Sequence, residues 1–330
     1  MKSKIFPSEI TENLTFVDTF SKVHSVLGEV NKDKKWVISY SGGSDSDTMM
    51  WLFRWLGYEP KGVFFDTGLE YDATKRHLEF MRKEGFDIET VRAIKSIPTT
   101  NKEYGTPFLN KNTSEMISRL QKHNFQFKED GEKGFDELWK KYPNSKAALR
   151  WWTDGFTYRG RNISWNKNLK DFLIFNDGAG FPVANRCCDW AKKHPAKKYG
   201  KDNNIDMMCL GIRRAEGGMR VFSYKTCTYT SKASKYNMFF PLFWWSDKEK
   251  RIFDEAMNIK HSDCYEVYDM TRTGCAACPF GLDFEDTLDT LEKHEPKLHN
   301  GVTKIFSKSY ALTRQYREFR KLKDEENKSA

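Results

Sequence analysis

The sequence predicts an α/β fold built on a parallel sheet, and three observations carry that prediction. Two short apolar runs, WVISY at 36–40 and KGVFFD at 61–66, are bounded by Gly and polar residues, as buried strands are. Between them Met49, Leu52, Phe53 and Leu56 recur at helical spacing, and Gly57 ends the run. Strand, helix and strand within about thirty residues make a βαβ unit, whose strands are parallel and whose crossover is right-handed.

The remaining elements follow in order. A second helix is expected over 72–84, a short strand near 87–91 (DIETV), and a further core strand at 206–212 (DMMCLGI). Residues 105–185 break the rhythm with an amphipathic helix near 113–123 (TSEMISRLQKH) and the run RWWTDGFTYRGRNISWNK at 150–167. They read as an inserted subdomain. The segment from 314, RQYREFRKLKDEENKSA, reads as a charged, solvated helix. The expected organisation is therefore 1–104 and 186–281 as two parts of one nucleotide-binding domain, 105–185 as the insertion and 282–330 as a helical tail.

Composition bounds the function. The 330 residues are 38% hydrophobic and 15% aromatic, with ten Trp, enough to bury a large core despite 31% charge. Lys and Arg number 55 against 46 Asp and Glu, a net +9, which favours a polyanionic partner over none but is equally met by a basic soluble surface. The opening MKSKIFPSEITENL has no apolar signal core, and no run approaches the roughly 18 apolar residues of a membrane span. The expectation is a cytoplasmic protein with no membrane partner. Seven cysteines, an odd number, argue against a disulfide framework.

Between the first strand and its helix stands Ser41-Gly42-Gly43-Ser44-Asp45-Ser46. Such a corner concentrates unpaired N–H groups and the positive end of a helix dipole, and glycines let backbone approach an anion closely. An ordinary βα turn with a polar N-cap is the competing reading. GxxxxGK[ST] is absent, which disfavours kinase-type γ-phosphoryl transfer. The neighbours favour an anion site. The strand at 61–66 ends in Asp66-Thr67-Gly68, and the strand at 206–212 leads into Arg213-Arg214-Ala215-Glu216. Ligands of open α/β sheets sit beyond the carboxyl ends of strands, so three such loops are expected to line one crevice. They offer amides, a carboxylate for a nucleoside and two guanidiniums for phosphate or sulfate.

These residues carry a resemblance. SGGSDS looks like the PP-loop signature of the adenine-nucleotide α-hydrolase-like superfamily. FFDTGLEYDATKRHLEF (64–80), GIRRAEGGMR (211–220), NRCCDWAKKHPAKKY (185–199) and the Trp-containing stretch closing in GCAACPFG (241–281) resemble segments of the phosphoadenosine phosphosulfate (PAPS) reductase family, iron–sulfur type. The resemblance implies a five-stranded, mostly parallel Rossmann-like sheet (HUP-type) holding ATP or a sulfonucleotide, APS or PAPS. Ser41, Gly42, Gly43, Ser44 and Ser46 would grip phosphate or sulfate. Asp66, Thr67, Gly68, Glu216 and Arg220 would complete the nucleotide site, with Asp45, Arg213, Arg214 and Lys192 as catalytic groups and Mg²⁺ as a further candidate at Asp45. Two departures stand out. Many ATP-using members carry Lys where this chain has Ser44, and no cysteine follows Cys278, where sulfonucleotide reductases keep their nucleophile.

Cys187-Cys188 and Cys275-x-x-Cys278 form a CC…CxxC set. Adjacent thiolates suit a single Zn²⁺ poorly, whereas a [4Fe–4S] cube offers a separate iron to each; in the resembling reductases this set ligates such a cluster. Zinc, a redox CxxC and inert thiols are the alternatives. Cys209 reads as strand packing, while Cys227 and Cys264 are minor candidates for a nucleophile. His77, His261 and His294 have no metal spacing and receive no role. Trp151, Trp152 and Trp165, interleaved with Arg150, Arg159 and Arg161, could stack bases or simply pack a core.

The leading expectation is a sulfur-metabolism enzyme cleaving ATP between the α and β phosphates to activate an acceptor, itself a nucleic acid or a protein, for sulfur transfer. The alternatives are a true APS or PAPS reductase releasing sulfite, with an electron donor not named by the sequence, and a non-catalytic nucleic-acid-binding or host-interaction module on the same fold.

Overall fold

The computed structural model describes residues 8–28, 33–153, 156–158, 161–163, 167–217, 223–230 and 236–329. Eight strands are assigned there: β1 (Trp36–Tyr40), β2 (Lys61–Asp66), β3 (Asp87–Arg92), β4 (Phe156–Tyr158), β5 (Arg161–Ile163), β6 (Met207–Cys209), β7 (Thr228–Thr230) and β8 (Asn237–Phe239). Six of them form one sheet in the order β3-β2-β1-β6-β8-β7, and β4-β5 pair as a separate antiparallel ribbon. Every pairing in the large sheet is parallel except β7 with β8.

The order runs outward from β1 through β2 to β3, then restarts on the other side of β1 with β6 and β8. That reversal is the topological switch point of a Rossmann-like sheet. The mostly parallel α/β expectation holds. The sheet has six strands rather than five because a short antiparallel strand, β7, adds to the β8 edge. The expected strand over 206–212 is cut to three residues: the Leu210 amide still bonds Phe239 O at 2.9 Å, but that of Ile212 turns back to Leu210 O at 2.8 Å and the ladder ends.

The chain divides into two compact units, Met1–Ile94 with Ala191–Ala276, and Lys95–Trp190 with Ala277–Ala330. In the first, the helices Ser44–Trp55 and Asp247–Met257 bury Met49, Leu52, Phe53 and Phe253 with Ile38 and Tyr40 of β1. Trp245 is fully buried, lies edge-on to Phe16 at 4.9 Å, and donates from its indole nitrogen to Thr19 Oγ1 at 2.9 Å. Pairing that N–H is what lets so large a polar-tipped ring enter a core.

The second unit has its own core, including Phe108, Ile117, Leu120, Leu149, Trp152, Leu173 and Tyr316. Trp151 and Trp152 are buried there, and the Trp152 indole N–H donates to Gly131 O at 2.9 Å. Of the two readings open for these rings, packing a core is the one they fit, and base stacking is not. Trp165 and Arg159 lie outside the described residues. A correction concerns the C-terminal helix. The segment from 314 is helical and mostly exposed, as expected, but it is not wholly solvated: Tyr316 is buried, on the face that carries the buried Leu312 and Thr313 just before it. The Tyr316 ring lies edge-on to Phe172 at 5.4 Å, and the charges occupy the opposite face.

Candidate anion site at the switch point

β1 ends at Tyr40, and the helix Ser44–Trp55 begins after an extended N-cap at Gly43. Gly42 has φ +70, and a Cβ there would lie 2.6 Å from Thr74 Cγ2. Only glycine meets both demands. The serines brace the turn: Ser46 Oγ donates to Gly43 O at 2.7 Å and stands 3.2 Å from Ser41 Oγ, while the Gly43 amide donates to Ser41 Oγ at 3.3 Å. Two further hydroxyls crowd the corner. A Cβ on Gly43 would meet Thr273 Oγ1 and Tyr265 Oη, each at 3.2 Å, and those two oxygens lie 3.1 Å apart.

The loop after β6 reaches the same corner. Gly211 approaches the Asp45 backbone so closely that a Cβ would stand 3.1 Å from it. Arg213, 7% exposed, donates from Nε to Asp45 Oδ1 at 2.7 Å and from Nη1 to Asp247 Oδ1 at 2.8 Å. Burial works against its charge, but Asp45 and Asp247 outweigh that and raise its pKa further. The Arg213 amide in turn donates to Glu216 Oε2 at 3.2 Å, so Glu216 caps this turn.

The expected pair of guanidiniums is split. Arg213 is extended (φ −112, ψ 140), so its neighbour points the other way. Arg214 stacks over Trp244 at 5.5 Å and lines a small cleft with Tyr224, Lys225 and Phe243. Asp66 closes a local turn, accepting from the Gly68 amide at 2.8 Å, and Gly68 has φ +81. Thr67 is held by the buried Glu70, whose Oε1 accepts from the Thr67 hydroxyl at 2.8 Å. Lys192 lies in the π-helical turn Asp189–Lys193. Arg220 lies outside the described residues. Loop 41–46 and the 211–216 loop thus meet directly, and the parallel register Tyr40↔Phe64 sets the Asp66–Gly68 turn on the same edge of the sheet.

Several polar residues around this corner escaped the sequence reading. Asp47, in the helix's first turn, is fully buried. Its Oδ1 accepts from Tyr40 Oη at 2.7 Å, and its Oδ2 lies 2.9 Å from His261 Nδ1 and 3.0 Å from His77 Nε2. His261 Nε2 lies 3.1 Å from Asp254 Oδ2, and Thr48 Oγ1 donates to Asp254 Oδ1 at 2.6 Å. Burial pushes the Asp47 carboxyl up, but hydrogen bonds from His261 and His77 prevail and hold it below its ordinary value. Burial likewise opposes the His261 charge, and the bonds to Asp254 and Asp47 override it, raising the imidazole to about 9. Beside this network opens a cavity of about 530 Å³ lined by Ser44, Arg213, Lys250, Arg251, His261 and Tyr265 among others.

None of the seven cysteines is in a disulfide. Cys275 belongs to the first unit, where its sulfur lies 3.5 Å from Thr67 Oγ1; Cys187, Cys188 and Cys278 belong to the second. Among the described residues no group of three or more His, Cys, Asp or Glu is arranged to hold a metal ion. Cys209 is fully buried in β6 and burial pushes its thiol pKa up, as packing requires.

In sequence, residues 156–281 match the phosphoadenosine phosphosulfate reductase domain family, a stretch that holds the 211–216 loop and all four paired cysteines but not loop 41–46. No curated protein matches the chain. Similar solved structures include phosphoadenylyl-sulfate (PAPS) reductase from Candida auris in its phosphate complex, at 12% identity over 77% of this chain and 92% of that one, with TM-score 0.35. Another is the U34-tRNA thiolase NcsA from Methanococcus maripaludis with its [4Fe-4S] cluster, at 14% identity over 95% and 83%, with TM-score 0.39.

Proposed function

We propose that loop 41–46 binds the phosphate end of an adenine nucleotide and that the chain cleaves ATP between its α and β phosphates to drive sulfur transfer, a reading supported by the match of residues 156–281 to the phosphoadenosine phosphosulfate reductase domain family. The observation that carries this reading is the corner itself: a left-handed Gly42, an extended Gly43 cap and a twelve-residue helix whose N-terminus lies at the switch point. Anions are stabilised there by amides and by the helix dipole. Ser44 brings no charge, and the cavity beside it supports the missing one, since Arg251 lines it with Ser44; Lys250 lines it too but is paired with Asp254.

In this reading an acceptor oxygen attacks the α-phosphorus, the α–β bridge breaks and pyrophosphate leaves. The adenylated acceptor is then open to a sulfur nucleophile that displaces AMP. Arg213, with Asp45 and Asp247 already on its Nε and Nη1, fixes the loop and adds positive potential rather than gripping phosphate through those atoms. Incubation with ATP and Mg²⁺ is expected to release pyrophosphate. Sulfite released from APS or PAPS instead would reassign the chemistry to reduction. Turnover of neither, with salt-steep binding of RNA or DNA, would leave a binding module.

We also propose the four cysteines 187, 188, 275 and 278 as ligands of a [4Fe–4S] cluster, on the chemistry of the donor set: four thiols, two adjacent and two in CxxC. No step above passes through the group. Anaerobic purification is expected to give a brown protein with about four irons and four sulfides per chain. Stoichiometric zinc would overturn the assignment.

A further inference from the structure

Beside the anion loop the buried ionisable groups Tyr40, Asp47, His261 and Asp254 form one chain of contacts, and the proposed chemistry makes no use of it. Its geometry is specific. Asp47 sits in the first turn of the helix Ser44–Trp55, four positions past the Gly43 cap, and its amide donates to Gly43 O at 3.1 Å. Asp254 sits near the end of the helix Asp247–Met257. His261 lies between them with Nδ1 2.9 Å from Asp47 and Nε2 3.1 Å from Asp254. A neutral imidazole has one N–H and cannot donate to two carboxylates; an imidazolium can.

Other groups face this bridge from each packed element. Tyr40 comes from β1, His77 from the helix Asp72–Lys83, and Lys250 pairs with Asp254 at 2.5 Å. The Tyr265 ring lies edge-on to His261 at 6.0 Å, and the His261 amide donates to Glu266 Oε1 at 3.3 Å. Two carboxylates at short range with no cation between them repel, so the bridging charge adds a local tie between these two helices beside the one Arg213 makes through Asp45 and Asp247.

We propose that His261 is a positioning residue for the anion loop: as an imidazolium it ties Asp47, in the helix turn that follows the loop, to Asp254 on the neighbouring helix, and so holds the N-terminal amides in place for phosphate. Its value for phosphate rests on the reading of loop 41–46 given above; the bridge itself does not. Removing the bridge loosens the turn without touching the ligand, because both ring nitrogens are already committed to carboxylates.

Two readouts on the full chain decide it. Long-range ¹H–¹⁵N spectra, with the His261 signal assigned by its loss in His261→Gln, are expected to show both ring nitrogens protonated at pH 7.5. A single neutral tautomer there overturns the proposal. Hydrogen exchange at the Ser46, Asp47 and Thr48 amides is expected to speed up about tenfold or more in His261→Gln and in Asp254→Asn, with Val63 in β2 little changed. Unchanged exchange in both variants overturns it; Asp254→Asn keeps the test decisive if His261→Gln does not fold. ATP calorimetry separates the two levels. If wild type binds ATP, each variant should bind about tenfold more weakly, and equal affinity overturns the positioning role. If wild type binds none, the phosphate reading falls, and the bridge is judged by the first two readouts alone.

Discussion

Gly42 is where a single atom matters most. With φ +70 and only 2.6 Å between a built Cβ and Thr74 Cγ2, alanine there is both strained and crowded. Gly42→Ala is expected to cost about 1–3 kcal/mol of stability and to weaken nucleotide binding more than Gly57→Ala, whose left-handed site has open space around it. Isothermal titration of both variants checks the order, and equal losses would remove the loop's special status. Residue-scale legibility divides along the same line. SGGSDS could be read because its chemistry is local: glycines, hydroxyls and a helix start within six positions. The Asp47–His261 bridge could not, since its partners are 214 positions apart and neither residue has a distinguishing neighbour. Arg213 was recognised as a charge at the site, but its commitment to Asp45 and Asp247 depends on three separate segments meeting.

That bridge also sets a pH dependence. His261 is raised from an ordinary imidazole value near 6.5 to about 9 in the folded state. A raised group contributes stability that is present in full below the unfolded value and fades as pH rises through the folded one. The gap in urea midpoint between wild type and His261→Gln is therefore expected to be widest near pH 6 and to narrow between pH 6.5 and 9. A gap that grows with pH would contradict an imidazolium in the folded protein.

Among the elements, the strands and helices with strong periodicity appear near their expected positions, because burial of one face is a local constraint. β1 and β2 coincide with their apolar runs, and the helix expected at 113–123 is Lys111–Lys122. The C-terminal helix shows the limit. Its charge dominates the composition, while the buried Tyr316 finds its ring partners more than a hundred positions earlier, in Phe108 and Phe172. Tyr316→Ala is expected to destabilise the second unit by about 3–4 kcal/mol, the range for emptying an aromatic site in a core. Lys323→Ala, on the exposed face, is expected to stay within about 0.5 kcal/mol. Chemical denaturation followed by Trp fluorescence measures both; a silent Tyr316→Ala would restore the view of a solvated tail.

Over the whole molecule, what local pattern cannot reveal is which segments share a core. Each unit is assembled from two stretches of chain, and the second joins Lys95–Trp190 to Ala277–Ala330 across almost ninety intervening residues. Such a core closes only when its last segment arrives, because the apolar faces of the helices Lys111–Lys122, Lys146–Thr153 and Lys167–Phe175 are completed by Leu312 and Tyr316. Deleting 307–330 should therefore act far from the cut. Trp151 and Trp152 should lose their near-ultraviolet circular dichroism, and trypsin should cut within 95–190 at sites the intact chain protects. Both effects follow from exposing a core whose surviving helices cannot bury their apolar surface alone. A truncated chain that kept the dichroism and the protease resistance would show that 95–190 folds without its C-terminal partner, and the two-segment core would have to be given up.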